Sequence, residues 1–159
     1  MDTASSPAPT PAFVGASWLA LVVGCGAFLI GLWRAEMAMS EKGFYLTVLL
    51  FGLFAAVSLQ KAVRDQMEDV PVTSLYLGLA WAAVISALVL LTVGLWNAEI
   101  EPSEKGFYAM SFVLSLFSAV AVQKNVRDLA VSNRSRGPVV PSPFVDREPD
   151  TFGGQVPPA

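Results

Sequence analysis

The sequence predicts an all-α membrane protein: four transmembrane helices arranged as two tandem, parallel-duplicated helical hairpins. Three observations carry this. Four apolar blocks, at residues 12–33, 44–59, 74–96 and 107–122, contain no Asp, Glu, Lys or Arg. Hydrophobic residues make up 54% of the 159 residues and charged residues only 14%, an unusual balance for a soluble domain of this size. Finally, Gly31–Asp65 returns without a gap as Gly94–Asp128, 63 positions later (94 − 31), and 20 of its 35 positions are identical when the two stretches are laid together.

The elements follow in order. Residues 1–11 carry Pro7, Pro9 and Pro11 and no Lys or Arg, so they are expected to lack regular structure. A secretory signal needs a basic start and a cleavage site, which this segment does not offer, so the first apolar block is expected to stay as an anchor. About 20 helical residues cross a bilayer core, and about 17 suffice at the short end. The first and third blocks meet this directly. The second and fourth are short, and Gln60 and Gln123 with the next helical turn extend them into the headgroups. None of the four blocks has the polar stripe of a soluble amphipathic helix. Residues 12–65 thus form a first two-helix module, 66–73 a cytoplasmic connection and 74–128 a second module. Residues 129–159, with Pro138, Pro141, Pro143, Pro149, Pro157 and Pro158, form a tail expected to be disordered.

Charge sets the expected orientation. Lys61, Arg64, Lys124, Arg127, Arg134, Arg136 and Arg147 fall on the side of the termini, against Arg34, Lys42 and Lys105 on the other. Lys and Arg accumulate on the cytoplasmic side, which places both termini there. Because each module crosses twice, the two point the same way. The duplication is parallel, unlike the inverted repeats of many alternating-access carriers.

The outer-face motif is Gly-Leu-Trp-x-Ala-Glu followed by Ser-Glu-Lys-Gly-Phe-Tyr. Trp33 and Trp96 close their spans, where an indole suits the boundary between lipid and water. A connection of about nine residues is expected next. Ser40 and Ser103 suit the N-cap of the returning helix, with Glu41 and Glu104 in its first turn, and Tyr45 and Tyr108 read as interfacial anchors. Every residue here has a structural role open to it. The same residues also suit a binding patch, because Trp33 and Trp96 beside Glu36, Glu41, Glu99 and Glu104 would attract a cationic group. Arg34 becomes Asn97 in the second copy and Ala38 becomes Glu101, so a salt bridge from Arg34 to Glu99 and Glu101 across the hairpins is a further expectation.

On the opposite face the motif Gln60-Lys61-x-x-Arg64-Asp65 recurs as Gln123-Lys124-x-x-Arg127-Asp128. Cations at a helix C-terminus offset the dipole and face anionic headgroups, and Lys61 with Asp65 and Lys124 with Asp128 are spaced to pair. A docking edge for a cytoplasmic partner is the alternative use. Within the spans, Ala20 and Gly24, Gly52 and Ala56, Gly78 and Ala82, and Ser115 and Ala119 are small residues at the four-residue spacing that lets helices approach in lipid.

Several chemistries are poorly supplied. The chain has no His, and its one cysteine, Cys25, lies mid-span, so neither a usual general base nor a disulfide or thiolate metal site is on offer. No Asp, Glu, Lys, Arg or His lies within a span, as a proton- or ion-coupled pathway would need. No enzyme activity, cofactor, metal or nucleic-acid partner is expected. The expected surroundings are the lipid bilayer, with a second copy of the chain or another membrane protein as partner.

The motifs Gly-Leu-Trp-x-Ala, Glu-Lys-Gly-x-Tyr and Gln-Lys-x-x-Arg-Asp, set in two-helix units, resemble the YiaA/YiaB family of small bacterial inner-membrane proteins. The resemblance covers about Phe13–Leu129 and looks like the longer form with two modules; it departs at Arg34, where the second copy has Asn97. It implies a multi-pass location in the bacterial cytoplasmic membrane and supplies no activity. Two functions remain open: a non-enzymatic interaction or scaffold protein that pairs with itself or with others, and a small channel or transporter acting as an oligomer. For the second, Ser86, Thr92, Ser111, Ser115 and Ser118 would have to converge on one water-lined surface.

Overall fold

A computed structural model describes residues 9–135. They form four helices: α1 Pro11–Arg34, α2 Met39–Met67, α3 Ser74–Asn97 and α4 Pro102–Ser135. All four are long and apolar enough to cross a membrane, and the described residues contain no strand.

The helix starts repeat as faithfully as the motifs do. Thr10 Oγ1 accepts from the backbone N–H of Phe13 at 3.3 Å, and Thr73 Oγ1 accepts from Tyr76 at 3.3 Å, so α1 and α3 begin on equivalent threonine caps. Pro11 then sits in the first turn of α1, where its missing N–H is no loss. The helix therefore starts one residue before the predicted module boundary.

The turns between paired helices are tighter than the nine residues expected. α1 ends at Arg34 and α2 begins at Met39, with Ala35 and Ala38 both extended. Ser40 and Ser103 lie inside the returning helices and are not their N-caps. The motif glutamates cap in their place. Glu41 Oε2 accepts from the Ala38 backbone N–H at 2.9 Å, and Glu104 Oε2 accepts from Glu101 at 3.1 Å. The adjacent lysines close the other end of each turn: Lys42 Nζ donates to the Trp33 carbonyl at 3.1 Å and Lys105 Nζ to the Trp96 carbonyl at 3.4 Å. Glu-Lys is thus a clasp that satisfies both helix ends at one corner.

Despite these short turns, the helices of one hairpin barely touch. α1 packs along α4 and α3 along α2, while α2 and α4 meet at the centre; α1 with α2 and α3 with α4 make only minor contact. The modules are interlocked, each supplying the packing partner for the other's first helix. A pseudo-twofold axis runs between α2 and α4, where the rings of Tyr45 and Tyr108 stack with centroids 6.2 Å apart at 16°. Both tyrosines are only 4% exposed, so they are core residues and not the interfacial anchors their position at the span edge predicts.

Burial follows the duplication. Among the described residues every buried position except Val122 has a buried counterpart 63 residues away, as with Phe28 and Leu91, Leu32 and Leu95, or Leu49 and Phe112. On α1 the buried positions are Ser17, Gly24, Phe28 and Leu32, a narrow stripe. The remaining surface is apolar because lipid faces it, which is why no polar stripe marks the sequence.

Two predicted boundaries shift. α2 continues through Met67, so 66 and 67 belong to the helix and not to the connection. It stops where Asp69 takes a left-handed φ of 55° and the Val70 N–H reaches the Asp65 carbonyl at 2.9 Å, a Schellman closure. α4 continues past Leu129 to Ser135, so residues 129–135 are helical, consistent with the lack of any proline between Pro102 and Pro138. The rest of the tail, with its Pro141-Ser142-Pro143 stretch, lies outside the described residues.

Candidate functional site

Two polar faces cap the apolar slab. The turn face carries residues 35–38 and 98–101; the terminal face carries the 68–73 connection and the end of α4.

At the turn face, the duplicated motif is used crosswise. A Cβ on Gly31 would lie 2.7 Å from Phe107 Cε1 and 3.3 Å from Tyr108 Cε1. A Cβ on Gly94 would lie 2.7 Å from Phe44 Cε1 and 3.2 Å from Tyr45 Cε1. Gly-Leu-Trp of each module therefore seats Gly-Phe-Tyr of the other. Lys42, Lys105, Glu41 and Glu104 are committed to the turns, as described above.

The uncommitted Arg34, Glu36, Glu99 and Glu101 gather in one cavity of about 750 Å³, which Ser103, the turn-capping Glu104, Phe107 and Tyr108 also line. Five of the eight sequence-predicted outer residues thus meet: Arg34, Glu36, Glu99, Glu101 and Glu104. Trp33, Trp96 and Glu41 do not line it. Trp33 and Trp96 are 84% and 83% exposed, as a membrane-boundary belt requires, so the tryptophans do not flank the carboxylates as the patch reading supposed. The expected bridge from Arg34 to Glu99 and Glu101 is not formed either; among the described residues Arg34, Glu36, Glu99 and the Glu101 carboxylate make no ion pair or hydrogen bond. The reason is local. α1 ends at Arg34, so its guanidinium and Glu36 project from a turn into open solvent, where pairing long side chains gains little.

At the terminal face, Arg64 Nη2 pairs with Asp65 Oδ1 at 2.8 Å, and its Nε lies 3.8 Å from Glu68 Oε1. Arg127 Nη2 also pairs with Glu68 Oε1, tying α4 to the end of α2. The expected Lys61–Asp65 and Lys124–Asp128 pairs are absent among the described residues; both lysines are exposed and Asp65 is taken by its neighbour. Glu68 has no acidic equivalent in the second module, where position 131 is Val, so a fixed-offset search does not find it. The Oε1 atoms of Gln60 and Gln123 are buried without a partner.

Within the slab, the hydroxyl residues do not converge. Ser111, Ser115 and Ser118 are buried on α4, and each donates to a carbonyl one turn back, at 2.8, 2.7 and 2.6 Å. Ser86 and Thr92 face outward on α3. The polar contact that the sequence reading missed is between Ser17 and Asn125. Asn125 is 1% exposed, and its Nδ2 donates to Ser17 Oγ at 3.0 Å across α1 and α4. The signal was available at the repeat offset: Ser17 and Asn125 stand where the other interface has Ala80 and Ala62.

These features define a polytopic α-helical membrane protein made of two interlocked copies of one helical hairpin. The model of the yiaA/B two-helix domain matches at residues 13–65 and again at 76–128, and the chain belongs to that family. It is 54% identical over 123 residues to the inner membrane protein YiaA of Escherichia coli K12, covering 77% of this chain and 85% of the relative. It is 30% identical over 100 residues to the inner membrane protein YiaB of the same organism, covering 62% and 84%. It is also 34% identical over 61 residues to the uncharacterized membrane protein YubF of Bacillus subtilis 168, covering 38% and 70%. No solved structure gives a significant match.

Proposed function

We propose that this chain is a non-enzymatic interaction protein of the bacterial inner membrane, with its turn face outside, both termini in the cytoplasm and the turn-face cavity as its contact surface. The observation that carries the proposal is the division of labour within the repeated motif. Gly31, Gly94, Lys42, Lys105, Glu41 and Glu104 are consumed by folding, whereas Arg34, Glu36, Glu99 and Glu101 share one open cavity without partners among the described residues. Such a surface carries net negative charge and suits a basic segment of another membrane protein. The orientation rests on the Lys and Arg bias of the terminal face. The non-enzymatic reading rests on a chain with no His and no Asp, Glu, Lys or Arg within the predicted apolar blocks.

A channel is the less supported reading. The buried serines spend their hydroxyls on their own helix, and Ser86 and Thr92 lie on a different surface. A conducting path would need polar groups turned toward a common lumen.

The test is photocrosslinking in intact cells from probes at Trp33 and Glu36 on the turn face and at Lys124 on the terminal face. A discrete non-self product from the turn-face probes is expected, reduced when Glu99 and Glu101 are both changed to Gln. Self-products alone would overturn the heterotypic reading and bring the oligomeric channel forward, to be measured as flux in liposomes.

A further inference from the structure

We infer that the two modules have diverged into complementary halves that pair with each other and reject copies of themselves. The proposal concerns assembly and stands whatever the turn-face cavity binds.

Because the modules interlock crosswise, a hairpin completes its core only against a second hairpin, and any hairpin of this sequence is a candidate partner. The chain could therefore exchange modules between copies and form open-ended chains. Two residue pairs that break the pseudo-symmetry oppose this.

The first pair is steric. In the α1–α4 interface Gly24 faces Ser115, and a Cβ on Gly24 would lie 2.9 Å from both Ser115 N and Ser115 Oγ. The equivalent positions of the α3–α2 interface are Ala87 and Gly52, so each interface holds one glycine. Pairing a second module with its own copy would set Ala87 against Ser115, placing a Cβ where the structure has no room for one. Pairing a first module with its own copy would set Gly24 against Gly52 and leave a gap.

The second pair is polar. Asn125 is 1% exposed and is held by Ser17. Opposite another second module it would meet Ala80 and bury its amide without that partner, which is costly in an apolar interior. Opposite another first module, Ser17 would meet Ala62, again leaving space. The heterotypic α1–α4 interface gives the Asn125 Nδ2 its partner and Ser115 its room beside Gly24, while the Asn125 Oδ1 stays unpaired there and a cavity lies beside Ala80 between α2 and α3. Each homotypic pairing loses the fit at both positions. This is specificity by built-in rejection.

The experiment starts from the intact chain carrying a protease site in the exposed Asp69–Thr73 connection. Two preparations with different C-terminal tags are folded in bicelles, cleaved, mixed in sodium dodecyl sulfate and returned to bicelles, and one tag is captured. The wild type is expected to recover untagged first modules with the captured second modules and almost no second module bearing the other tag, a preference of about tenfold or more. The double variant S115G/N125A gives the second module the same Gly and Ala that Gly52 and Ala62 supply, so it should pair with its own copy and the preference should disappear. N125A alone keeps Ser115 and its close contact with Gly24, so it guards against a misfolded double variant and should relax the preference in part. Statistical mixing of wild-type modules, failure of the halves to re-pair, or an undiminished preference in the double variant would each overturn the inference.

Discussion

Replacing Gly24 with alanine and Gly15 with alanine should have opposite effects, although both glycines lie in α1. A Cβ on Gly15 meets nothing within 4 Å, because that position faces lipid. A Cβ on Gly24 would lie 2.9 Å from Ser115 N and 3.2 Å from Leu114 Cγ. The first of those atoms is backbone and cannot swing aside, so the helices must separate. Alanine in place of glycine stabilises a helix interior by up to about 1 kcal/mol. Overpacking a close contact costs about 1–3 kcal/mol, and parting α1 from α4 also stretches the Ser17–Asn125 bond, with about 0.6 kcal/mol typical of such bonds in membranes. The expected balance is a net loss of about 1–2 kcal/mol for Gly24→Ala and a gain or no change for Gly15→Ala, from the same competing terms. Reversible unfolding in bicelles, read by tryptophan fluorescence or by steric trapping, gives both values. Equal stability of the two variants would refute the close α1–α4 contact on which the reasoning depends.

Three further predictions concern the turn and the helix ends. Gly31→Ala and Phe107→Ala should couple in a double-mutant cycle by about 0.5 kcal/mol or more, while Gly31→Ala and Phe44→Ala, within one hairpin, should add independently. Glu41→Ala and Glu104→Ala should each cost about 0.5–2 kcal/mol through the lost cap, measured by the same unfolding assay, whereas Glu99→Ala should be near neutral. Asp69→Gly should raise stability by up to about 1 kcal/mol, because glycine takes the left-handed closure of α2 without a Cβ penalty; a loss on this substitution would contradict that closure.

The sequence made the number of helices and the duplication legible because both rest on charge: blocks free of Asp, Glu, Lys and Arg mark the spans, and the motifs between them repeat at one offset. The partner of each helix was not legible. Lipid and protein interior are equally apolar, so the outward-facing Leu19 and the buried Phe28 carry no contrast that would point α1 toward α4. The shortness of the 35–38 turn suggests, wrongly, that α1 lies on α2. Small residues gave a partial signal. Gly24, Gly52 and Ser115 do mark close approaches, but Gly78 faces open space, since spacing alone cannot say which stripe is used. At the turn face, the motif residues were found and their tasks were not. Ser40 looked the better cap by residue type, yet the turn ends two residues earlier and brings Glu41 to the free N–H. Arg34 was expected to reach Glu99 and Glu101, which requires knowing where α1 stops. The Ser17–Asn125 pair was visible only as a departure from the repeat, and its meaning depends on the crosswise packing.

Crosswise packing is tested most directly by disulfide trapping in native membranes, with Cys25 replaced by alanine. Ser17 and Asn125 are in hydrogen-bond contact at 3.0 Å, whereas Ala62 is the equivalent of Asn125 in the same hairpin as Ser17. Interlocked modules predict that S17C with N125C oxidises to an intramolecular crosslink and that S17C with A62C does not. A crosslink formed by S17C with A62C, and not by S17C with N125C, would mean that each hairpin packs on itself, and would contradict the interlocked fold.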